Sequence, residues 1–159
     1  MNSVVIIPDR LEAILRQHLF QNPVEQGAFL FAEVRETAGQ LILEIAEMYL
    51  VPPDGWSVQS EDYLEMKDTE RAKIMKRARD GGFGVIDCHS HPRATDDVCF
   101  SLSDRRGIEE FAAYARWKLD GKPYVATAWG ASSVDAVLWH GEFTQPNPLG
   151  EIRVTGDRT

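Results

Sequence analysis

Between residues 8 and 21 the apolar side chains Leu11, Ile14, Leu15 and Leu19 recur at three- and four-residue steps, the period of one helix face. Pro8 and Asp9 sit where a helix start wants them. His18 falls on the same stripe and reads as a packed histidine rather than a ligand. Two strand-like runs follow, at about residues 25–35 and 40–51, with Thr37-Ala38-Gly39 as the turn between them. Pro52-Pro53-Asp54-Gly55 breaks the second run and opens a loop carrying Trp56. Asp68 is placed to cap a helix reaching about residue 79, which Asp80-Gly81-Gly82 ends. Residues 83–88 are a short apolar run and read as a buried strand. A helix at about 103–119 buries Ile108, Phe111, Ala112 and Ala115, and strands follow at about 124–129 and 133–140, with 151–154 as a last edge strand.

The resulting order, α, β, β, α, β, α, β, β, describes a mixed β-sheet flanked by helices, an α/β sandwich of two or three layers rather than a regular parallel repeat. With 159 residues, no internal repeat and no low-complexity linker, residues 1–159 form one domain. Trp117, on the last helix, and Trp129 and Trp139, in strands, are expected in the core, and His140 on the solvent side of a strand end.

Composition narrows the function classes. The chain is 43% hydrophobic and 26% charged, as ordinary globular domains are, and no run of 18 apolar residues is present to span a bilayer. Residues 1–8 contain Val4, Val5, Ile6 and Ile7 without a basic segment ahead of them, which does not make a secretory signal. A formal charge of −8 argues against nucleic acid and against an anionic membrane surface, since both need a basic face. Two cysteines, Cys88 and Cys99, cannot build a multi-bridge framework, so a reducing, cytoplasmic setting is expected.

The chemistry concentrates in Asp87-Cys88-His89-Ser90-His91-Pro92, at the end of the short apolar strand. Residues i and i+2 of a strand face the same way, so His89 and His91 present two imidazoles side by side, a pair suited to a zinc-like metal. Pro92 biases His91 toward extended backbone. Asp96 and Asp97 follow in the loop, and Ser101-Leu102-Ser103-Asp104 opens the next helix. Asp104 is placed to be a third ligand, while Ser-x-x-Asp before an apolar run is also a capping box, and the two roles are compatible. Glu25, at the start of the first strand-like run, is the candidate base; by itself it is only a polar residue at a strand end. Arg105-Arg106 reads as a solvated face. A cysteine hydrolase built on Cys88 or Cys99 is a rival class.

In this order and context, the residues Glu25, His89-Ser90-His91-Pro92 and Ser101-Leu102-Ser103-Asp104 resemble the JAMM zinc metalloproteases of the MPN type, across about residues 20–140. The eight residues 93–100 between His-Pro and the serine exceed that family's usual six, and the glycine pattern after Glu25 is displaced by about a position. The resemblance implies an MPN (JAB)-type, cytidine-deaminase-like sandwich. It implies Zn2+ held by His89, His91 and Asp104, with water in the fourth position. It gives Glu25 the role of base and proton carrier, and the Ser101 hydroxyl that of donor toward the oxyanion. The expected reaction is hydrolysis of the C-terminal amide of a ubiquitin-like protein, from a conjugate or precursor, as in stand-alone bacterial members that accompany ubiquitin-like conjugation genes, some of them antiviral. Residues 52–66, with Trp56 and Tyr63, are where the tail of such a partner is expected. Two alternatives share the fold: a non-catalytic MPN scaffold that binds a protein partner, and the RadC-like branch with its related His-x-His-Pro signature.

Overall fold

The structure, a computed structural model, describes residues 2–94, 98–142 and 145–156. Its first strand is one the periodicity analysis does not assign: β1 (Asn2–Pro8), in which Val4, Val5 and Ile7 are buried. Helix α1 (Asp9–Leu19) follows directly and buries Leu15 and Leu19. Strands β2 (Gly27–Thr37) and β3 (Gln40–Leu50) form a hairpin whose loop residues Ala38 and Gly39 both take positive φ, 30° and 82°, as a tight two-residue turn requires. A 3₁₀ turn at Pro53–Gly55 leads into a small separate hairpin, β4 (Trp56–Gln59) and β5 (Leu64–Met66), where the sequence suggests only a loop.

Helix α2 (Asp68–Gly81) starts one residue earlier than a cap at Asp68 would need. Lys67 occupies the cap position without a side-chain hydrogen bond, and Asp68 lies in the first turn, paired with Arg71. Gly82 ends the helix with φ 66°, a left-handed conformation that glycine adopts freely. Then come β6 (Gly84–Ser90), α3 (Leu102–Lys118), β7 (Tyr124–Trp129), β8 (Val134–Trp139), the two-residue β9 (Asn147–Pro148) and β10 (Glu151–Thr155).

Eight strands make one mixed sheet in the order β10-β1-β3-β2-β6-β7-β8-β9. β1 runs parallel to both β10 and β3, and β6 parallel to β7, while β2 is antiparallel to both of its neighbours. Alternate residues of each strand feed two cores. On one face, Leu15 and Leu19 of α1 pack with Leu30, Leu43, Ile86 and Cys88. On the other, Ile74 and Ala78 of α2 and Ile108, Ala112 and Ala115 of α3 pack with Phe29, Val85, Tyr124 and Trp139. The result is an α/β sandwich of three layers, α1 on one side and α2 with α3 on the other.

Two expectations about individual residues are corrected or refined. Trp117 is 73% exposed, because residues 108, 112, 115 and 119 hold the buried stripe of α3 and residue 117 lies across from it. His140 is half-buried just beyond β8 and pairs with Glu36 at 2.6 Å. Trp129 and Trp139 are buried as expected. Trp139→Ala is therefore expected to cost about 3–5 kcal/mol in chemical denaturation, against about 0.5 kcal/mol or less for Trp117→Ala; equal losses would contradict this placement.

Candidate metal centre

The site forms on the sheet face that carries α2 and α3. Along β6, Val85 joins the core beneath those helices, and Asp87 and His89 follow it at two-residue steps on the same face. Cys88 points to the opposite core. His91 lies just past β6, but its N–H donates to the Trp129 carbonyl at 2.8 Å, which carries the strand geometry one residue further. Asp104 arrives from the first turn of α3. Ser101 caps that helix: its hydroxyl accepts the Asp104 N–H at 3.0 Å, and its own N–H donates to Asp104 Oδ2 at 2.9 Å, a capping box that fixes the carboxylate.

Three ligand atoms converge. His89 Nε2 and His91 Nε2 are 3.0 Å apart, Asp104 Oδ2 is 3.0 Å from His91 Nε2, and it is 3.4 Å from His89 Nε2. Atoms held ~2.0–2.1 Å from a common tetrahedral centre stand about 3.3 Å apart, so the donor set has the spacing and the chemistry to hold a metal ion. Among the described residues this is the group of His, Cys, Asp and Glu side chains that can do so. Asp96 and Asp97 lie outside the described residues.

Glu25 lines the same cleft of about 400 Å³ as His89 and Asp104. It sits two residues before β2 begins, and its main chain is clamped from both sides. The Glu25 N–H donates to the Ser60 carbonyl at 2.8 Å, and its carbonyl accepts from Gln59 Nε2 at 2.9 Å, so the β4–β5 hairpin holds it. Next to it, the Gln26 N–H donates to Ser90 Oγ at 2.9 Å and the Ser90 N–H returns to the Gln26 carbonyl at 3.0 Å. Gly27 then pairs with His89 across β2 and β6. A Cβ on Gly27 would fall 2.6 Å from the Trp56 ring, so glycine is what lets that indole lie over the strand start and wall the cleft. His18 is half-buried and donates from Nε2 to the Gly27 carbonyl at 2.9 Å, a packing role as expected.

The charges are arranged around burial. Glu25 is 5% exposed, and burial pushes its carboxyl from the usual 4.5 up to about 7, against the pull of His89 and His91. Burial opposes ionisation of Asp104 too, but the hydrogen bonds from His89, His91 and the Ser101 N–H outweigh it and hold that carboxyl well below the usual range. Burial would lower His89; the hydrogen bond to Asp104 overrides it, and the imidazole ends above its ordinary value. Beneath the site, Asp87 is pushed up by burial and accepts the Tyr124 hydroxyl at 2.7 Å.

Of the expected site residues, the structure brings together His89, His91, Asp104 and Glu25. Ser101 is exposed and adjoins them through Asp104, while the α3 residues lining the cleft are Ser103, Asp104, Gly107, Ile108, Glu110 and Phe111. Burial pushes the Cys88 thiol up to about 12, which leaves it without nucleophilic character at neutral pH, and Cys99 is exposed. Arg105 and Arg106 are exposed, as a solvated face should be. Residues that sequence reasoning missed are Gln26, Gln59, Ser60 and Ser90; a buried serine between two histidines was the one readable hint.

No protein-family model and no curated protein matches the chain. The fold resembles the solution structure of protein DSY2949 from Desulfitobacterium hafniense, with TM-score 0.56, 17% identity, and coverage of 97% of this chain and 94% of that one. At that identity the likeness concerns the fold alone. No helix among the described residues is long and apolar enough to cross a membrane.

An acid whose folded pKa is raised binds its proton more tightly folded than unfolded, so ionisation costs the folded state. For Glu25 this stability is present below about 4.5 and is lost as pH rises from there through about 7. In chelator, the denaturation midpoint of the wild type is therefore expected to fall relative to Glu25→Gln across that window. Parallel curves would contradict the burial of an ionisable Glu25.

Proposed function

We propose that this chain is a zinc-dependent isopeptidase of the JAMM type, on an MPN-like sandwich, acting on the C-terminal amide of a ubiquitin-like protein in a conjugate or precursor. The observation that carries it is the convergence of two imidazole nitrogens and a carboxylate oxygen at metal-ligand spacing, with a buried glutamate in the same cleft. Two histidines and one aspartate form a catalytic rather than a closed structural set, and they suit zinc better than the all-oxygen cations. When bound there, the ion supplies a polarised carbonyl and a water acidified to ~7.

The chain's own residues do the rest. Ser101, by capping α3, holds Asp104 on the two imidazoles. With the triad loaded, Glu25 stays ionised at neutral pH, because the added positive charge acts in the same sense as His89 and His91. Glu25 then accepts a proton during attack on the amide and delivers it to the leaving amine. The Ser101 hydroxyl, whose oxygen accepts the Asp104 N–H and lies 3.2 Å from Ser103 Oγ, donates toward the developing oxyanion when Ser103 is the donor of that pair, an interaction worth about 10²–10³ in rate. The β4–β5 hairpin, two strands outside the main sheet with Val58 42% and Tyr63 45% exposed, offers an edge to which an extended tail adds as a strand.

Purified with zinc, the wild type is expected to retain stoichiometric metal and to cleave a fusion at a ubiquitin-like C-terminus, and a chelator to stop it. Glu25→Ala should keep zinc and lose about 10²–10⁴ in turnover. Asp104→Ala should hold zinc more weakly, through the two imidazoles alone. A wild-type chain that takes up no zinc would instead be the non-catalytic scaffold, and Glu25→Ala cleaving at the wild-type rate would remove the base from the mechanism.

A further inference from the structure

The cleft does not end at the metal centre. It continues between α2 and α3 into a second hollow of about 370 Å³, and the two share Arg71, Gly107, Glu110 and Phe111. The passage is open at Gly107, where a Cβ would meet no atom within 4 Å, so packing does not require glycine at that point of α3.

Arg71 stands where the two hollows meet. Its guanidinium lies over the Phe111 ring, 5.9 Å from the centroid. Its Nη1 reaches Asp68 at 3.4 Å, a carboxylate that is itself 96% exposed, and its Nε has no acceptor among the described residues. The guanidinium is thus not taken up by a buried protein partner. Around it, the cleft carries Glu25, Glu65, Asp87, Asp104 and Glu110, and Arg71 supplies the arginine or lysine among the described lining residues.

We propose that Arg71 is a substrate-binding residue whose guanidinium donates to main-chain carbonyls of an extended segment running from the metal centre into the α2–α3 groove. This rests on the peptidase reading above. The neighbouring carboxylates select the acceptor. A ligand carboxylate at Arg71 would share the cleft with Glu65 and Glu110, whereas a peptide carbonyl takes a charge-assisted hydrogen bond without like-charge repulsion. Arg71 therefore reads the backbone of the segment and tolerates different side chains along it.

The probe is a fluorescein-labelled peptide of the ubiquitin C-terminal tail, with a second copy carrying aspartate substitutions, titrated into zinc-loaded protein at low and high salt. Arg71→Gln is expected to weaken both peptides by the same factor, about tenfold to a hundredfold, with little dependence on salt. Gly107→Trp should abolish binding while zinc is retained, and it tests the groove independently of Arg71, whose stacking on Phe111 also serves folding. The proposal is overturned if either peptide binds Arg71→Gln or Gly107→Trp as it binds the wild type, or if the wild type binds neither. A loss confined to the aspartate-bearing peptide and erased by salt would overturn it in favour of a carboxylate anchor. Zinc content on the same samples separates the claims: zinc-free protein sinks the peptidase reading, and zinc-loaded protein indifferent to Arg71 sinks only this one.

Discussion

The reciprocal hydrogen bonds between Gln26 and Ser90 connect two stretches that are 64 residues apart, and the site depends on them. Both residues are buried, Ser90 completely, so each polar group there must find its partner within the protein. Leaving one of them unmade would cost about 1–3 kcal/mol. That requirement sets the end of β6 against the start of β2, places Gly27 opposite His89, and brings Glu25 into the cleft of the imidazoles. The β4–β5 hairpin completes the clamp through Ser60 and Gln59, so the separate small sheet positions the candidate base as well as walling the cleft.

Electrostatics complete what the backbone positions. Asp104 serves the helix and the triad at once, since the same Oδ2 that accepts the Ser101 N–H faces both imidazoles. Its ionisation is favoured by those donors, while that of Glu25 is disfavoured by burial. Two carboxylates in one cleft thus differ in proton affinity because of what surrounds each, which suits one to hold a cation and the other to carry a proton.

Much of the scaffold was legible because packing imposes period. The stripe through Ile108, Ala112 and Ala115 marks α3, and the apolar run ahead of His89 marks β6. Trp117 was misread because residue type outweighed position on the helix. β1 escaped because an unbroken Val4–Ile7 run carries no alternation, and its parallel partner β10 lies at the far end of the chain. The β4–β5 hairpin is short and largely polar. In the site, His89 and His91 declared themselves by strand spacing and Asp104 by its capping context. Glu25 rested on resemblance alone, and Gln26, Gln59 and Arg71 are single polar residues whose roles arise only when distant segments meet.

Zinc-edge X-ray absorption on the loaded protein and on His89→Ala, His91→Ala and Asp104→Ala reads the central geometry without any substrate. The account predicts two nitrogen ligands and a carboxylate oxygen at ~2.0–2.2 Å in the wild type, with the corresponding scatterer lost in each variant. A wild-type spectrum lacking imidazole scattering, or one that any of the three substitutions leaves unchanged, would contradict it.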